Sequence, residues 1–420
     1  MQFCIFEDQQ YINFLPLVYF RPVYELRCGA LSLREKIESL LPGRTVSLHC
    51  RQDHATLFSE EHQGRPVNVL ADQDSWFING RLIADDSFTK LLKKKPPGDI
   101  VYRIGGEIAA AFLGRTNARR FVNEQFADTG PVRDLPSEPL TGVLMHYPWE
   151  LVQRTAEEIE RDCRILKKRN NGTISRGRVP AAMREAHLLN KKKIDIGKNS
   201  VIKAGAVLDA EHGSIIIGKN VLVMPNAVIE GPAFIGDYST IKIGAKIYHG
   251  TSIGEHCKVG GEVEASIIQS YSNKQHDGYL GHSYLGSWIN IGADTNTSDL
   301  KNTYGTVRVS LNGEPVETGL QFVGLTMGDH SKTGINVMFD TGTVVGVSCN
   351  VYGAGLPPKF LPSYSWGGIG SWTACRLEKS LETARRVMAR RNVSMSQAYE
   401  KMFREVFRLT QDQRAKAGVL

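Results

Sequence analysis

An aliphatic residue recurs at strict intervals of six through the middle of this chain: Ile217, Val223, Ile229, Ile235, Ile241, Ile247, Ile253 and Val259. Four residues after each stands a small or compact one: Val221, Ala227, Ala233, Ser239, Ala245, Thr251, Cys257 and Val263. With roughly one residue in four aliphatic, eight consecutive hits in one register arise by chance on the order of one time in 10⁵. A period of six matches neither a helix nor a strand, so the repeating unit is a coil. The pattern predicts a parallel β-helix. One aliphatic side chain per short flat face points inward, a compact one fills the rest of the lumen, and glycine serves corners where the backbone turns tightly. Ile196, Ile202 and Leu208 extend the register backwards, across a short insertion at Glu211–Gly213. Leu285 and Ile291, then Met327, Thr333, Phe339, Val345 and Val351, extend it forwards, giving a repeat region from about Lys193 to Gly355. Stacked repeats share one continuous core and need caps at their ends.

A chain of 420 residues predicts more than one domain, and 41% hydrophobic with 23% charged residues is an ordinary globular composition. No apolar run is long enough to cross a bilayer, so no membrane insertion is expected. The first ten residues hold Glu7 and Asp8 and no basic residue, which is not the pattern of a signal peptide. Seven scattered cysteines without a CxxC pair fit reduced thiols and a cytoplasmic location. Cys257 and Cys349 fall on inward positions of the repeat as small apolar fillers. The net charge of +7 fits phosphorylated small molecules better than nucleic acid, because the basic residues cluster without interleaved aromatics.

Four segments are expected: an α/β domain over 1–166, a basic linker over 167–193, the β-helix over 194–358, and a C-terminal tail and helix over 359–420. In the first, Gln2–Phe6 and Ser75–Ile78 read as strands and Leu31–Leu41 as a helix. Val101–Phe112 reads as a strand running into a helix, and Trp149–Leu166 as an amphipathic helix. Asn312-Gly313 between strand-like runs predicts a hairpin inserted into the coil. Cys375 to Leu409 reads as helical. Its Arg376, Arg385, Arg386, Arg390 and Arg391 form either a solvated face or contacts to a cofactor phosphate.

Hexapeptide coils of this kind resemble the left-handed parallel β-helix acyltransferases; the handedness is what the resemblance implies. Within that group, Lys274-Gln275-His276-Asp277-Gly278-Tyr279-Leu280-Gly281 and then Asn290-Ile291-Gly292-Ala293 resemble the acetyltransferase domain of bifunctional enzymes making UDP-N-acetylglucosamine. In that family the catalytic histidine precedes Tyr-Leu-Gly by three residues and Asn-Ile-Gly-Ala by fourteen. His276 meets both spacings; His282, before Ser283-Tyr284-Leu285-Gly286, meets neither. The resemblance implies N-acetylation of glucosamine-1-phosphate by acetyl-CoA. His276 would be the general base, Tyr279 and Asn290 sugar contacts, Lys301 or Asn302 a phosphate contact, and the backbone amide near Ala293 or Gly292 an oxyanion donor. It also implies a homotrimer with active sites between coils of neighbouring subunits.

The N-terminal residues resemble a divergent branch of the same family. The matching segments are Phe20-Arg21-Pro22-Val23-Tyr24-Glu25-Leu26-Arg27-Cys28-Gly29, Arg34-Glu35-Lys36, Phe77-Ile78-Asn79-Gly80-Arg81 and Tyr147-Pro148-Trp149-Glu150-Leu151. This implies a nucleotidyltransferase-like, Rossmann-like α/β domain that transfers a nucleotide from UTP or another NTP to a sugar-1-phosphate with Mg²⁺. Arg21, Arg27 and Lys36 are the candidate phosphate ligands, with Gly29 allowing close approach and Asp85-Asp86 a candidate metal pair. Two departures stand out. Glu7-Asp8-Gln9-Gln10 replaces the glycine-rich phosphate loop, and Asn79-Gly80-Arg81 replaces the metal-binding Gly-Asp. Other readings stay open. One is a β-helix that serves structure and oligomerisation beside a nucleotidyltransferase for another sugar or nucleotide, a second is an N-terminal domain that is a substrate-binding or structural relic, and a third is a resemblance of the coil to zinc-dependent β-helix enzymes, with His249, His256 and His276 as ligands.

Overall fold

The computed structural model describes residues 2–70, 73–84, 86–123, 132–169, 185–368 and 370–419. They form two compact units, one of Met1–Phe14, Phe20–Leu26 and Leu31–Tyr147, the other of Leu15–Tyr19, Arg27–Ala30 and Pro148–Leu420.

The first unit is built on a six-stranded mixed sheet. Gln2–Phe6 lies between Val46–His49 and Ser75–Asn79, parallel to both. Glu107–Leu113 and Ile100–Ile104 continue the sheet antiparallel, and Ser137–Pro139 edges it. Among the described residues four α-helices accompany it: α1 (Leu33–Ser39), α2 (Gln52–Glu61), α3 (Asp86–Leu92) and α4 (Arg115–Asn123). The central strands are buried on both faces, as expected of a covered parallel sheet. Helix α1 starts on a capping box in which Ser32 accepts from the Glu35 amide and Glu35 accepts from the Ser32 amide. The segment Val101–Phe112 is not a strand entering a helix but two strands of a hairpin. Gly105 and Gly106 turn at φ +59° and +90°, a conformation open to glycine. Ala110 and Ala111 then pair with Ile78 and Phe77 in the buried centre of the sheet, where burial overrides alanine's helical preference.

The second unit is a parallel β-solenoid. Its coils stack into a nine-stranded sheet, a six-stranded sheet and a five-stranded sheet, with all neighbours parallel. The period of six places each inward residue on the equivalent residue of the next coil: Ile229 on Ile247, Ile235 on Ile253, Ile241 on Val259. These side chains and the compact Ala227, Ala233, Ala245 and Cys257 form one buried core. At one corner, Tyr238, His256, Tyr271, Trp288 and His330 all adopt positive φ and stack as a ladder of nearly parallel rings. The strict register ends at Val259. Spacing assigns Val263 to a compact position, but it starts the next face and pairs beside Ile247, and Lys274 follows Val259 in the inward column.

Helix α5 (Pro148–Arg169), read from sequence as the close of the first domain, packs on the solenoid. Ile159 and Cys163 join Ala30, Ile216 and Phe234 in one cluster, Glu160 accepts from the Ser214 hydroxyl at 2.9 Å, and Lys167 pairs with Asp195 at 3.0 Å. The Asn312-Gly313 hairpin forms as its sequence suggests, between Arg308–Leu311 and Glu314–Glu317. The C-terminal helical stretch is broken into α6 (Leu377–Ala389) and α7 (Gln397–Leu409), followed by α8 (Gln411–Lys416). Most of the basic linker, residues 170–184, lies outside the described residues.

Candidate functional site

Two sites follow from these frames, one on the solenoid and one in the first unit. On the solenoid, the corners Gly260–Gly261, Gln275–Gly278 and Gly292–Thr295 stack on one another. Glu262 N donates to Gly278 O at 3.2 Å and Asp294 N donates to Asp277 O at 3.0 Å. Gly278 has φ +111°, and a Cβ there would stand 2.2 Å from Thr295 O, so only glycine permits the stack. His276 is exposed on the middle corner. Ala293 lies on the next corner, where its carbonyl accepts from Asn336 N at 2.8 Å. The Gly292 amide donates to Thr333 Oγ1 at 2.8 Å, whereas among the described residues the Ala293 amide has no protein acceptor. Asn290 is exposed with its backbone in the coil ladder, Lys301 Nζ donates to Thr306 O at 2.5 Å, and Asn302 is exposed on the following turn.

Tyr279 carries the densest polar contacts of this region. Its hydroxyl lies 2.9 Å from a Glu264 oxygen and 2.9 Å from Asp299 Oδ2. His282 Nδ1 approaches that same Asp299 oxygen at 2.8 Å, and the His282 ring tilts against Phe322 with centroids 5.1 Å apart. Burial pushes the Tyr279 phenol up, and the neighbouring Asp299 and Glu264 carboxylates push it further. Burial alone would raise Asp299, but hydrogen bonds from His282 and Tyr279 outweigh it and hold the carboxyl below its usual range. Sequence spacing passes over Glu264, His282 and Asp299. The signal that marks Asp299 is the glycine of Tyr279-Leu280-Gly281, where a Cβ would stand 2.2 Å from both Asp299 Oδ2 and the Tyr279 oxygen. Beneath the corner, Lys274 is 2% exposed, and its Nζ donates to His276 O at 2.8 Å and Gly260 O at 3.1 Å. Burial brings its ammonium down to about 8.

No group of three or more His, Cys, Asp or Glu among the described residues is arranged to hold a metal ion. His256 is stacked between Tyr238 and Tyr271 in the ring ladder, with both centroids 4.8 Å away.

In the first unit, a cavity of about 280 Å³ opens at the C-terminal ends of the parallel strands, lined among others by Glu7, Asp8, Tyr11, His49, Arg51 and Asn68. Ligands of open α/β sheets bind at this end. Here the loop that replaces the glycine-rich cradle is filled by ion pairs. Glu7 accepts from Arg51 Nε at 2.9 Å and Val23 N at 2.8 Å, and Arg51 lies over the Tyr11 ring at 4.0 Å. Burial raises the Glu7 carboxyl despite Arg51. Asp8 takes the fully buried Arg81 at 2.6 Å and Asn79 Nδ2 at 2.8 Å, so the two sequence departures meet each other. The candidate phosphate ligands are dispersed. Arg21 is half-buried in the first unit, its carbonyl accepting from Arg51 at 3.2 Å, and Lys36 is buried in α1. Arg27 and Gly29 belong to the second unit. Arg27 pairs with Glu255 at 2.9 Å, and the Gly29 carbonyl accepts from Ser252 at 2.6 Å. A Cβ on Gly29 would meet Asp162 Oδ2 at 2.6 Å, so the close approach this glycine allows is that of α5. Asp85 and the Asp86 side chain lie outside the described residues.

Residues 3–171 match the family model of a sugar nucleotidyl transferase. The chain is 30% identical over 161 residues to the bifunctional protein GlmU of Rippkaea orientalis, an alignment covering 37% of this chain and 29% of that one. It is 39% identical over 88 residues to the GlmU of Methanocaldococcus jannaschii, 21% of each. With a bifunctional sugar-1-phosphate nucleotidylyltransferase/acetyltransferase of Sulfurisphaera tokodaii it shares 32% identity over 104 residues, 24% of this chain and 26% of that one. These matches span between a fifth and a third of the relatives' own length. Among solved structures, a UDP-N-acetylglucosamine acyltransferase of Francisella novicida aligns over 55% of this chain and 75% of its own at 18% identity, with a TM-score of 0.29.

Proposed function

We propose that this chain, a divergent relative of the bifunctional sugar-1-phosphate nucleotidylyltransferase/acetyltransferases, acts in sugar-nucleotide synthesis by acetylating glucosamine-1-phosphate with acetyl-CoA on its solenoid. The observation that carries the reading is the stacking of the His276 corner on the Ala293 corner through the Asp294–Asp277 bond of 3.0 Å. It brings a basic imidazole and an unengaged amide donor onto consecutive coils of one edge.

In this mechanism the sugar ammonium first releases one proton to solvent, and His276 takes a second from the nitrogen as it attacks the thioester carbonyl. A C–N bond forms, the carbonyl oxygen becomes negative, and the Ala293 amide receives it. The C–S bond then breaks, and the coenzyme A thiolate leaves with the proton from His276. Tyr279, oriented by Glu264 and Asp299, and Asn290 hold the sugar, while Lys301 or Asn302 meets its phosphate. A homotrimer would complete the site from a neighbouring coil. Exposed Ile335, on the corner stacked against Ala293, and exposed Met338 offer apolar surface for that contact, at 69% and 45% exposure.

For the first unit we propose nucleotide transfer from UTP or another NTP to the sugar-1-phosphate, supported by the sugar nucleotidyl transferase match over 3–171 and the cavity at the strand ends. Arg21 and Lys36 are its phosphate candidates. Glu7 and Asp8 already hold arginines, so they do not form a Mg²⁺ site as arranged.

Acetyl-CoA consumption by the purified protein with glucosamine-1-phosphate, wild type beside His276→Ala, tests the reading. Turnover that collapses in the variant supports it. Absence of turnover in the wild type, or full turnover in the variant, refutes the acceptor or the base respectively.

A further inference from the structure

We propose that Lys274, enclosed in the lumen of the solenoid, is a positioning residue that holds the His276 corner from within. The inference rests on the reading of His276 as the base.

Lys274 stands where the repeat calls for an aliphatic side chain. It follows Val259 in the inward column, and the coil above it, Asn290-Ile291, bonds back to Asn273 through Ile291 N at 2.8 Å. A lysine in such a place costs free energy unless its donors are satisfied. Its Nζ lies 2.8 Å from His276 O and 3.1 Å from Gly260 O, joining two consecutive corners. The acids facing it are Asp277, Asp294 and Glu262, none of which is hydrogen-bonded to it. A neutral amine keeps two N–H donors, so both carbonyls remain served after the ammonium loses its proton.

The neighbouring backbone is shaped to admit this contact. Gly261 has φ +69°, and a Cβ there would stand 2.6 Å from Lys274 Nζ and 2.7 Å from His276 O. The corner itself departs from the six-residue register, with Gln275–Gly278 between the strands Asn273–Lys274 and Tyr279–Gly281. Cross-coil backbone bonds reach this segment at Lys274 O, which accepts from Gly260 N at 2.7 Å, and at Asp277 O and Gly278 O, while the peptide that carries the imidazole is tied by the Lys274 side chain. An apolar residue in the lumen would suit the core equally well and leave the His276 carbonyl without this tether.

The test compares Lys274→Met with Lys274→Gln, the second keeping a side-chain donor. Lys274→Met is expected to retain its melting temperature and to lower kcat for acetyl transfer about 10- to 100-fold, with KM for both substrates little changed. Lys274→Gln should retain more of the rate. Hydrogen exchange of the amides of residues 275–279 should quicken in Lys274→Met. Full kcat in a folded Lys274→Met, or a rate loss no larger than its unfolded fraction, would overturn the proposal. Should wild-type protein not acetylate glucosamine-1-phosphate, the base assignment fails by itself. Exchange then decides the tether: quickened exchange at 275–279 upholds it, and unchanged exchange removes it. If Lys274→Met does not fold, Lys274→Gln carries the same readouts.

Discussion

His282 Nδ1 lies 2.8 Å from Asp299 Oδ2, the oxygen that Tyr279 also reaches at 2.9 Å. A carboxylate on Nδ1 fixes an imidazole's tautomer and orientation. His282 is therefore the histidine with an internal orienting partner, while His276 is the one exposed on the corner that meets Ala293. The two play different parts if acetyl transfer proceeds as proposed. His276→Ala should lower kcat by about 10²- to 10⁴-fold. His282→Ala, which loosens Asp299 and through it Tyr279, should mainly raise KM for the sugar phosphate. Steady-state kinetics with both substrates varied separates these outcomes, and a larger kcat loss in His282→Ala would exchange the roles.

Asp299 can be probed without touching either histidine. Asp299→Asn keeps the shape but weakens two hydrogen bonds that favour the ionised carboxylate. KM for glucosamine-1-phosphate should rise about tenfold, with KM for acetyl-CoA unchanged. Equal changes in both constants would mean that the network supports the coil generally rather than the sugar.

Glu255 gives the acid limb of stability. Arg27 draws its carboxyl down to about 2 against the opposing effect of burial. A folded value below the unfolded one stabilises the protein above the unfolded value, near 4.5, and the gain disappears as pH falls through 2. The Glu255 side chain is 38% exposed, so solvent screening limits the contribution to about 1 kcal/mol. Thermal melts of Glu255→Gln and wild type should differ by a few degrees at pH 7 and converge toward pH 2. A gap that persists at pH 2 would mean that the pair acts through packing.

The repeat made the solenoid legible because burial on each coil falls on a fixed position. Ile241 and Val259 had to stack, and they do. What the period could not convey lies where it breaks. Lys274 on an inward position and Val263 opening a new face follow from a short corner that spacing alone does not reveal. Val101–Phe112 misled for a different reason: alanines favour helices in isolation, and the glycine turn with its buried partner strand decided otherwise. At the candidate site, linear spacing selected His276 and Tyr279. Glu264 and Asp299 come to Tyr279 from neighbouring coils, a relation that only the register of stacked strands supplies.

Core packing yields a prediction that needs no assumption about function. Ile241 is fully buried between Val223 and Val259. Ile241→Ala should cost about 3 kcal/mol, through lost burial and the cavity left behind. Denaturant unfolding of the second unit measures it, and a loss below about 1 kcal/mol would indicate that the coil collapses around the gap.

The segment Arg21–Gly29 divides between the two units, and this separates two effects that sequence alone would assign together. Arg21 is half-buried in the first unit, beside the Arg51 that lines the cavity. Arg27 is largely buried in the second unit, where it pairs with Glu255 and lies over Phe234 at 5.0 Å. If the first unit transfers nucleotides, Arg21→Ala should raise KM for UTP about tenfold in a pyrophosphate-release assay with N-acetylglucosamine-1-phosphate and Mg²⁺, and leave the melting temperature nearly unchanged. Arg27→Met should do the reverse. It removes the partner of Glu255 and the donor to Ala30 O, and should cost about 2 kcal/mol of stability without altering KM for UTP. The two variants therefore distinguish a phosphate ligand from a packing residue within one short motif. A KM change in Arg27→Met with no loss of stability would return Arg27 to the nucleotide site.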